Sequence, residues 1–142
     1  MAVSLSNKRV FIVEDDQANA AIIQMLLEQS HCRVFRGRWG GQDTLDLLER
    51  YSPIDFILMD LMLPNGVTGF DVYEMVRAIP GMENIPVIAV SASDPSVVLP
   101  KVRDMGFSGF IAKPVDFVKF PDQILAVLEG TDRWHLNRNM EL

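Results

Sequence analysis

The chain has 142 residues, of which 49% are apolar, and a formal net charge of −6. This length fits a single domain that can bury a sizeable core. The negative charge argues against a dominant electrostatic grip on nucleic acid or an anionic membrane, because both attract clusters of Lys and Arg. Cys32 is the only cysteine, which excludes an internal disulfide.

The first nine residues are polar and lack the apolar core of a signal peptide. No apolar run approaches the ~20 residues that are needed to cross a bilayer. We therefore expect a cytoplasmic protein in a reducing setting.

Five short apolar runs have the length and composition of β-strands. Polar residues, Gly or Pro bound each run, and several runs are apolar almost throughout, as expected for parallel strands covered on both faces. In chain order they are Val10–Val13, Arg33–Arg36, Phe56–Met59, Val87–Val90 and Phe110–Ala112.

Helical apolar patterns alternate with these runs. They cover Gln17–Ser30, Gln42–Tyr51, Phe70–Ile79 and a last helix that begins near Phe120-Pro121 and stops at Gly130.

The fourth helix is ambiguous, because Asp94-Pro95 has the form of an N-cap followed by a proline at the first helical position. Pro100 follows only a few residues later and would interrupt the helical hydrogen bonds. Either the helix is kinked, or it begins at Pro100 and runs to Met105, with Gly106 as its stop.

The alternation predicts an α/β fold with a doubly wound, five-stranded parallel sheet, (βα)₅. Residues 1–130 are expected to form the domain, and residues 131–142 a short C-terminal tail. The tail is either a frayed terminus or a segment whose Trp134 packs on the domain or on a second copy.

Polar or charged residues follow four of the five predicted strands, at the sheet edge where such folds bind ligands. They are Glu14-Asp15-Asp16, Asp60, Ser91 and Lys113. Three carboxylates on one edge favour a hard cation such as Mg²⁺, and a carboxylate can attack phosphorus to form an aspartyl phosphate. Lys113 and Ser91 are suited to hold the phosphoryl oxygens.

Each of these residues also has an ordinary explanation when it is taken alone. Asp15 and Asp16 could cap the first helix. Asp60 and Ser91 could be turn residues, and Lys113 could be a solvated surface charge. Four independent coincidences would be needed, so the combination favours the phosphoryl site.

Four segments resemble the response-regulator receiver family of two-component signalling, over a match from about Lys8 to Leu128. The segments are Val10–Asp16, Phe56–Pro64, Pro86–Ala92 and Gly109–Pro114. The resemblance implies a flavodoxin-like receiver fold, in a stand-alone, chemotaxis-regulator-like form.

The resemblance also implies a metal site and a phosphoacceptor. Asp60 would be the residue that is phosphorylated, and its carboxylate would also bind Mg²⁺. Asp15 would bind the metal directly and Glu14 through water. The backbone carbonyl of Met62 would complete the protein ligands.

Three further positions match the family's switch. Ser91 would be the hydroxyl that moves to bond a phosphoryl oxygen, and Phe110 the aromatic residue that then turns inward. Lys113 would pair with the acyl phosphate, and the Lys113-Pro114 bond is usually cis in the family.

The implied function is a switch that receives a phosphoryl group from a sensor histidine kinase or a phosphotransfer protein and then binds a downstream effector protein. We expect no direct DNA binding, no membrane association, and a monomer or weak homodimer. The protein would not be an enzyme beyond its own phosphoryl transfer and dephosphorylation.

Two alternatives remain beside this interpretation. A phosphatase with an aspartate nucleophile needs a second aspartate two residues after Asp60, where Met62 cannot donate a proton. A degenerate receiver would act as a phosphorylation-independent interaction module, but such proteins usually lack one of the motif residues.

Three departures from the family pattern affect the surface near the site. Gly69 follows Pro64 by five residues where four is common. Pro100 would reshape the face of the fourth helix, the fifth strand and the fifth helix. Phe110 lacks the hydroxyl of the tyrosine often found at its position.

Overall fold

Strands and helices alternate along residues 4–38 and 41–136, the part of the chain that the computed structural model describes. The strands are β1 (Arg9–Val13), β2 (Arg33–Gly37), β3 (Phe56–Met59), β4 (Val87–Ser91), β5 (Gly109–Ala112) and β6 (Trp134–His135). The helices are α1 (Gln17–Gln29), α2 (Gln42–Tyr51), α3 (Gly69–Arg77), α4 (Pro95–Met105) and α5 (Phe120–Glu129). Within these residues, no helix combines the length and hydrophobicity needed to cross a membrane.

The sheet is parallel throughout, in the order β2-β1-β3-β4-β5-β6. Its two faces bury alternate residues of each strand, as the two-residue period of a strand requires. In β1, Phe11 and Val13 pack with α2, α3 and α4, whereas Val10 and Ile12 pack with α1 and α5. The predicted doubly wound parallel sheet is confirmed, with one strand more than expected.

The fourth helix begins at Pro95 and continues through Pro100 to Met105, so the prediction that it could begin at Pro100 is wrong. Asp94 caps its first turn by accepting a hydrogen bond from the backbone N–H of Ser96. Pro100 leaves the carbonyl of Ser96 without its usual helical donor. Both residues are exposed, so water can satisfy that carbonyl.

The additional strand, β6, comes from the expected tail. Trp134 lies opposite Phe110 in the sheet, and the backbone N–H of Phe110 donates to the carbonyl of Arg133 at 2.9 Å. Trp134 also packs against the core and lies under the guanidinium groups of Arg103 and Arg133. Of the two predictions for the tail, packing on the domain is therefore the one observed for residues 131–136, and residues 137–142 lie outside the described part of the chain. The boundary at residue 130 stays a prediction.

Candidate functional site

The four predicted strand-end positions lie at one edge of the sheet. β1, β3, β4 and β5 are parallel neighbours, so their carboxyl ends point the same way. Glu14 follows β1, Asp60 follows β3, Ser91 ends β4, and Lys113 follows β5. Chain direction alone therefore brings these residues, which are distant in sequence, to a common edge.

Lys113 connects two of the carboxylates. Its Nζ forms an ion pair with Glu14 Oε1 and lies 3.3 Å from Asp60 Oδ2. Because both carboxylates contact the same ammonium, they lie close to each other. Glu14 is 4% exposed and Asp60 8% exposed, so both are poorly hydrated. A lysine between them offsets the repulsion that burial would otherwise strengthen. The Lys113-Pro114 peptide bond is cis, as expected.

The Asp60 carboxylate is held at both oxygens. Oδ1 accepts a hydrogen bond from the backbone N–H of Met62 at 3.1 Å, and Oδ2 faces Lys113. The backbone N–H of Asp60 donates to the carbonyl of Val13 at 3.0 Å, which ties the end of β3 to β1. The Met62 side chain is 68% exposed, so this residue contributes its backbone to the site and not its thioether.

Burial raises the pKa of the Glu14 carboxyl from 4.5 to about 7. The neighbouring Asp60 acts in the same direction, and Lys113 opposes it. A buried carboxylate beside a second carboxylate is costly to keep charged, and Lys113 offsets only part of that cost.

Asp15 and Asp16 have different surroundings from Glu14. The Asp16 side chain caps α1 by accepting a hydrogen bond from the backbone N–H of Asn19 at 3.0 Å, the ordinary role considered for it. Asp15 Oδ1 lies 3.7 Å from Nε of Arg38, which directly follows β2. Arg38 was not among the predicted site residues, although it lies two residues after the predicted strand Arg33–Arg36, which was a usable signal.

The donor atoms at this edge fit a magnesium ion better than a transition metal. Within residues 4–38 and 41–136, no group of three or more His, Cys, Asp or Glu is gathered closely enough to enclose a metal. Mg²⁺ does not require such a cage, because it keeps several waters and takes one or two carboxylates. The predicted ligands, the carboxylates of Asp15 and Asp60 and the backbone carbonyl of Met62, all offer hard oxygen atoms of the kind that Mg²⁺ prefers.

Ser91 and Phe110, the two predicted switch residues, are both fully buried. The Ser91 hydroxyl donates to Ser93 Oγ at 3.0 Å and accepts from the Ser93 backbone N–H at 3.1 Å. The Ser91 carbonyl accepts from the backbone N–H of Lys113 at 2.9 Å, which links β4 to the lysine. Phe110 belongs to the same buried cluster as Phe107 and Val102, so its inward position is already present in this structure.

The long loop after Pro64 is closed by a tight turn. Asn65 and Gly66 both have a positive φ, and Met62 and Thr68 pair as an isolated antiparallel bridge across the loop. Thr68 and Asp71 then cap α3 reciprocally. The start of α3 is held beside Asp60, because the N–H of Gly69 donates to the carbonyl of Leu61 at 3.0 Å.

Comparison with known proteins identifies a family with the same fold. The family model described as response regulator receiver domain matches residues 10–125. The polar-differentiation response regulator DivK of Brucella ovis is 35% identical over 121 residues, covering 85% of this chain and 96% of DivK.

Two solved structures are also similar. The non-phosphorylated receiver domain of HemR from Leptospira biflexa is 27% identical, with a TM-score of 0.71, over 88% of this chain and 94% of that one. The receiver domain of the sensor histidine kinase PA1611 from Pseudomonas aeruginosa is 25% identical, with a TM-score of 0.73, over 88% and 99%. The latter holds a magnesium ion coordinated in its active-site cleft.

Proposed function

The chain belongs to the response regulator receiver domain family, and we propose that it is a phosphorylation-dependent switch of two-component signalling whose phosphoacceptor is Asp60. The observation that carries the proposal is the surroundings of the Asp60 carboxylate. It lies at the carboxyl end of a central strand, is 8% exposed, and is oriented by the Lys113 ammonium and the Met62 N–H.

The proposed reaction is the transfer of a phosphoryl group from a phosphohistidine to Asp60. A carboxylate oxygen of Asp60 attacks phosphorus, an acyl phosphate P–O bond forms, and the P–N bond to the donor imidazole breaks. Lys113 then pairs with the negative oxygens of the acyl phosphate, and Glu14 retains its position beside the ammonium. Bound Mg²⁺ would neutralise phosphoryl charge, held by Asp15, Asp60, the Met62 backbone carbonyl and, through water, Glu14.

The switch that follows involves Ser91 and Phe110. In the proposed active state the Ser91 hydroxyl leaves Ser93 and bonds a phosphoryl oxygen, which draws in the loop after β4. Phe110 is already buried, so in this proposal phosphorylation stabilises the inward position against an outward one and does not create it. The altered surface would then be recognised by an effector protein.

The donor is a sensor histidine kinase or a phosphotransfer protein, and the output is protein binding without direct DNA contact. We propose a cytoplasmic protein, a monomer or weak homodimer, that catalyses only its own phosphoryl transfer and dephosphorylation.

Phosphorylation of Asp60 can be tested with acetyl phosphate and MgCl₂, followed by intact-mass spectrometry. The wild type should gain one phosphoryl group, and Asp60→Asn should gain none, because the amide cannot act as the nucleophile. Asp122→Asn is the matched control, since it removes the same charge from an exposed position in the first turn of α5. Lys113→Ala should weaken switching more than metal binding.

The same experiment separates the proposal from the degenerate-receiver alternative. Phosphorylation that persists in Asp60→Asn would reject the assignment of the acceptor. A wild type that takes up no phosphoryl group under these conditions, but still binds its effector, would favour the phosphorylation-independent module.

A further inference from the structure

Three carboxylates of the site face two cationic side chains of the protein itself. Glu14 and Asp60 share the ammonium of Lys113, and Asp15 is paired with the guanidinium of Arg38. A divalent cation that binds these carboxylates must compete with both side chains for the same oxygen atoms.

The two cationic side chains differ in how readily they can move away. The Lys113 side chain is 12% exposed, follows β5 directly and contacts two carboxylates. The Arg38 side chain is 57% exposed, and its ion pair with Asp15, itself 40% exposed, has a separation of 3.7 Å. An exposed pair of this length is weak and is screened by salt.

We propose that Arg38 is a positioning residue that holds the Asp15 carboxylate in the metal-free site and yields it when Mg²⁺ binds, so that Arg38 sets the affinity for the ion. The inference rests on the magnesium site of the proposed function. Arg38 lowers that affinity in two ways: it occupies an oxygen of Asp15, and its positive charge repels the incoming cation.

The size of the effect follows from the exposure of the pair. Ion pairs between exposed groups contribute little, so removing the guanidinium should tighten Mg²⁺ binding by about two- to five-fold at low ionic strength. In about 1 M salt, where charges are screened within about 3 Å, the difference should largely disappear.

The test is a titration of the full chain with MgCl₂, followed by the backbone amide signals of the site in ¹H–¹⁵N NMR spectra. Arg38→Gln removes the charge and keeps a polar side chain, whereas Arg38→Lys keeps the charge. Arg50→Gln is the matched control, because it makes the same change in net charge at an exposed position in the last turn of α2, at the opposite edge of the sheet. In the wild type, the Arg38 Nε–Hε signal is also followed.

The inference expects a smaller Kd for Arg38→Gln, near-wild-type values for Arg38→Lys and Arg50→Gln, and an Arg38 Nε–Hε signal that shifts with the same Kd as the amides. A Kd for Arg38→Gln equal to that of Arg50→Gln would overturn the inference and leave the proposed function intact. A wild type that binds no Mg²⁺ would overturn both.

Discussion

Substituting Gly69 with alanine tests how closely α3 is packed against the phosphoacceptor strand. A Cβ at this position would lie 2.3 Å from the backbone oxygen of Asp60 and 2.9 Å from Cα of Leu61. Non-bonded contacts of a Cβ are essentially never below 3.0 Å, so the start of α3 and the Asp60 backbone would have to separate by about 0.7 Å. The φ of Gly69 is outside the left-handed region, so the effect comes from contact and not from backbone conformation.

The expected cost has two parts. Overpacking against rigid backbone costs about 1–3 kcal/mol, which for a domain of this size lowers the melting temperature by about 2–12 °C. Because the displaced atoms belong to Asp60, phosphorylation should also slow, by up to about 100-fold for a misplacement approaching 1 Å. A substitution elsewhere in the core would produce the first effect without the second.

Thermal unfolding by circular dichroism and the rate of acetyl phosphate incorporation measure the two parts. Gly41→Ala is the control, because a Cβ at Gly41 meets nothing within 4 Å. The substitution removes a glycine from the N-cap of α2, and the lower conformational entropy of the unfolded chain offsets that loss. If Gly69→Ala melts and reacts like the wild type, α3 does not start against Asp60 in solution and the reasoning is refuted.

Two further predictions concern regions away from the phosphoacceptor. Trp134→Ala should lower the free energy of unfolding in urea by about 2 kcal/mol, since it removes a half-buried indole from the edge of the core. Trp134→Phe should cost less, and an unchanged midpoint in Trp134→Ala would mean that β6 is not docked. Burial raises the pKa of the Cys32 thiol to about 11, so its reaction with a disulfide reagent should be slow at pH 8 and still rising between pH 9 and 10. A rate that levels off near pH 9 in the folded protein would contradict this.

The positions of the main strands could be predicted because each is a short, almost wholly apolar run between polar residues. In β3, Phe56–Met59 agrees with the structure at both ends. The site residues followed from the same pattern, since parallel strands place Glu14, Asp60 and Lys113 at one edge whatever the details of packing.

The sixth strand could not be predicted in this way, because Trp134–His135 is too short to show any periodicity. It exists because a neighbouring strand, β5, offers unpaired backbone groups, and because Arg103 and Arg133 flank the indole of Trp134. Similarly, α4 continues through Pro100 because its exposed side leaves the carbonyl of Ser96 accessible to water.

The sequence by itself determined the order of strands and helices, the sheet edge that carries the chemistry, and the residue types found there. Those properties depend on local hydrophobic patterns and on chain direction. Only the tertiary structure decided which charges meet: Lys113 lies between Glu14 and Asp60, and Arg38 lies beside Asp15. Such pairings depend on distances between side chains from different strands, and these distances are set by packing across the whole sheet.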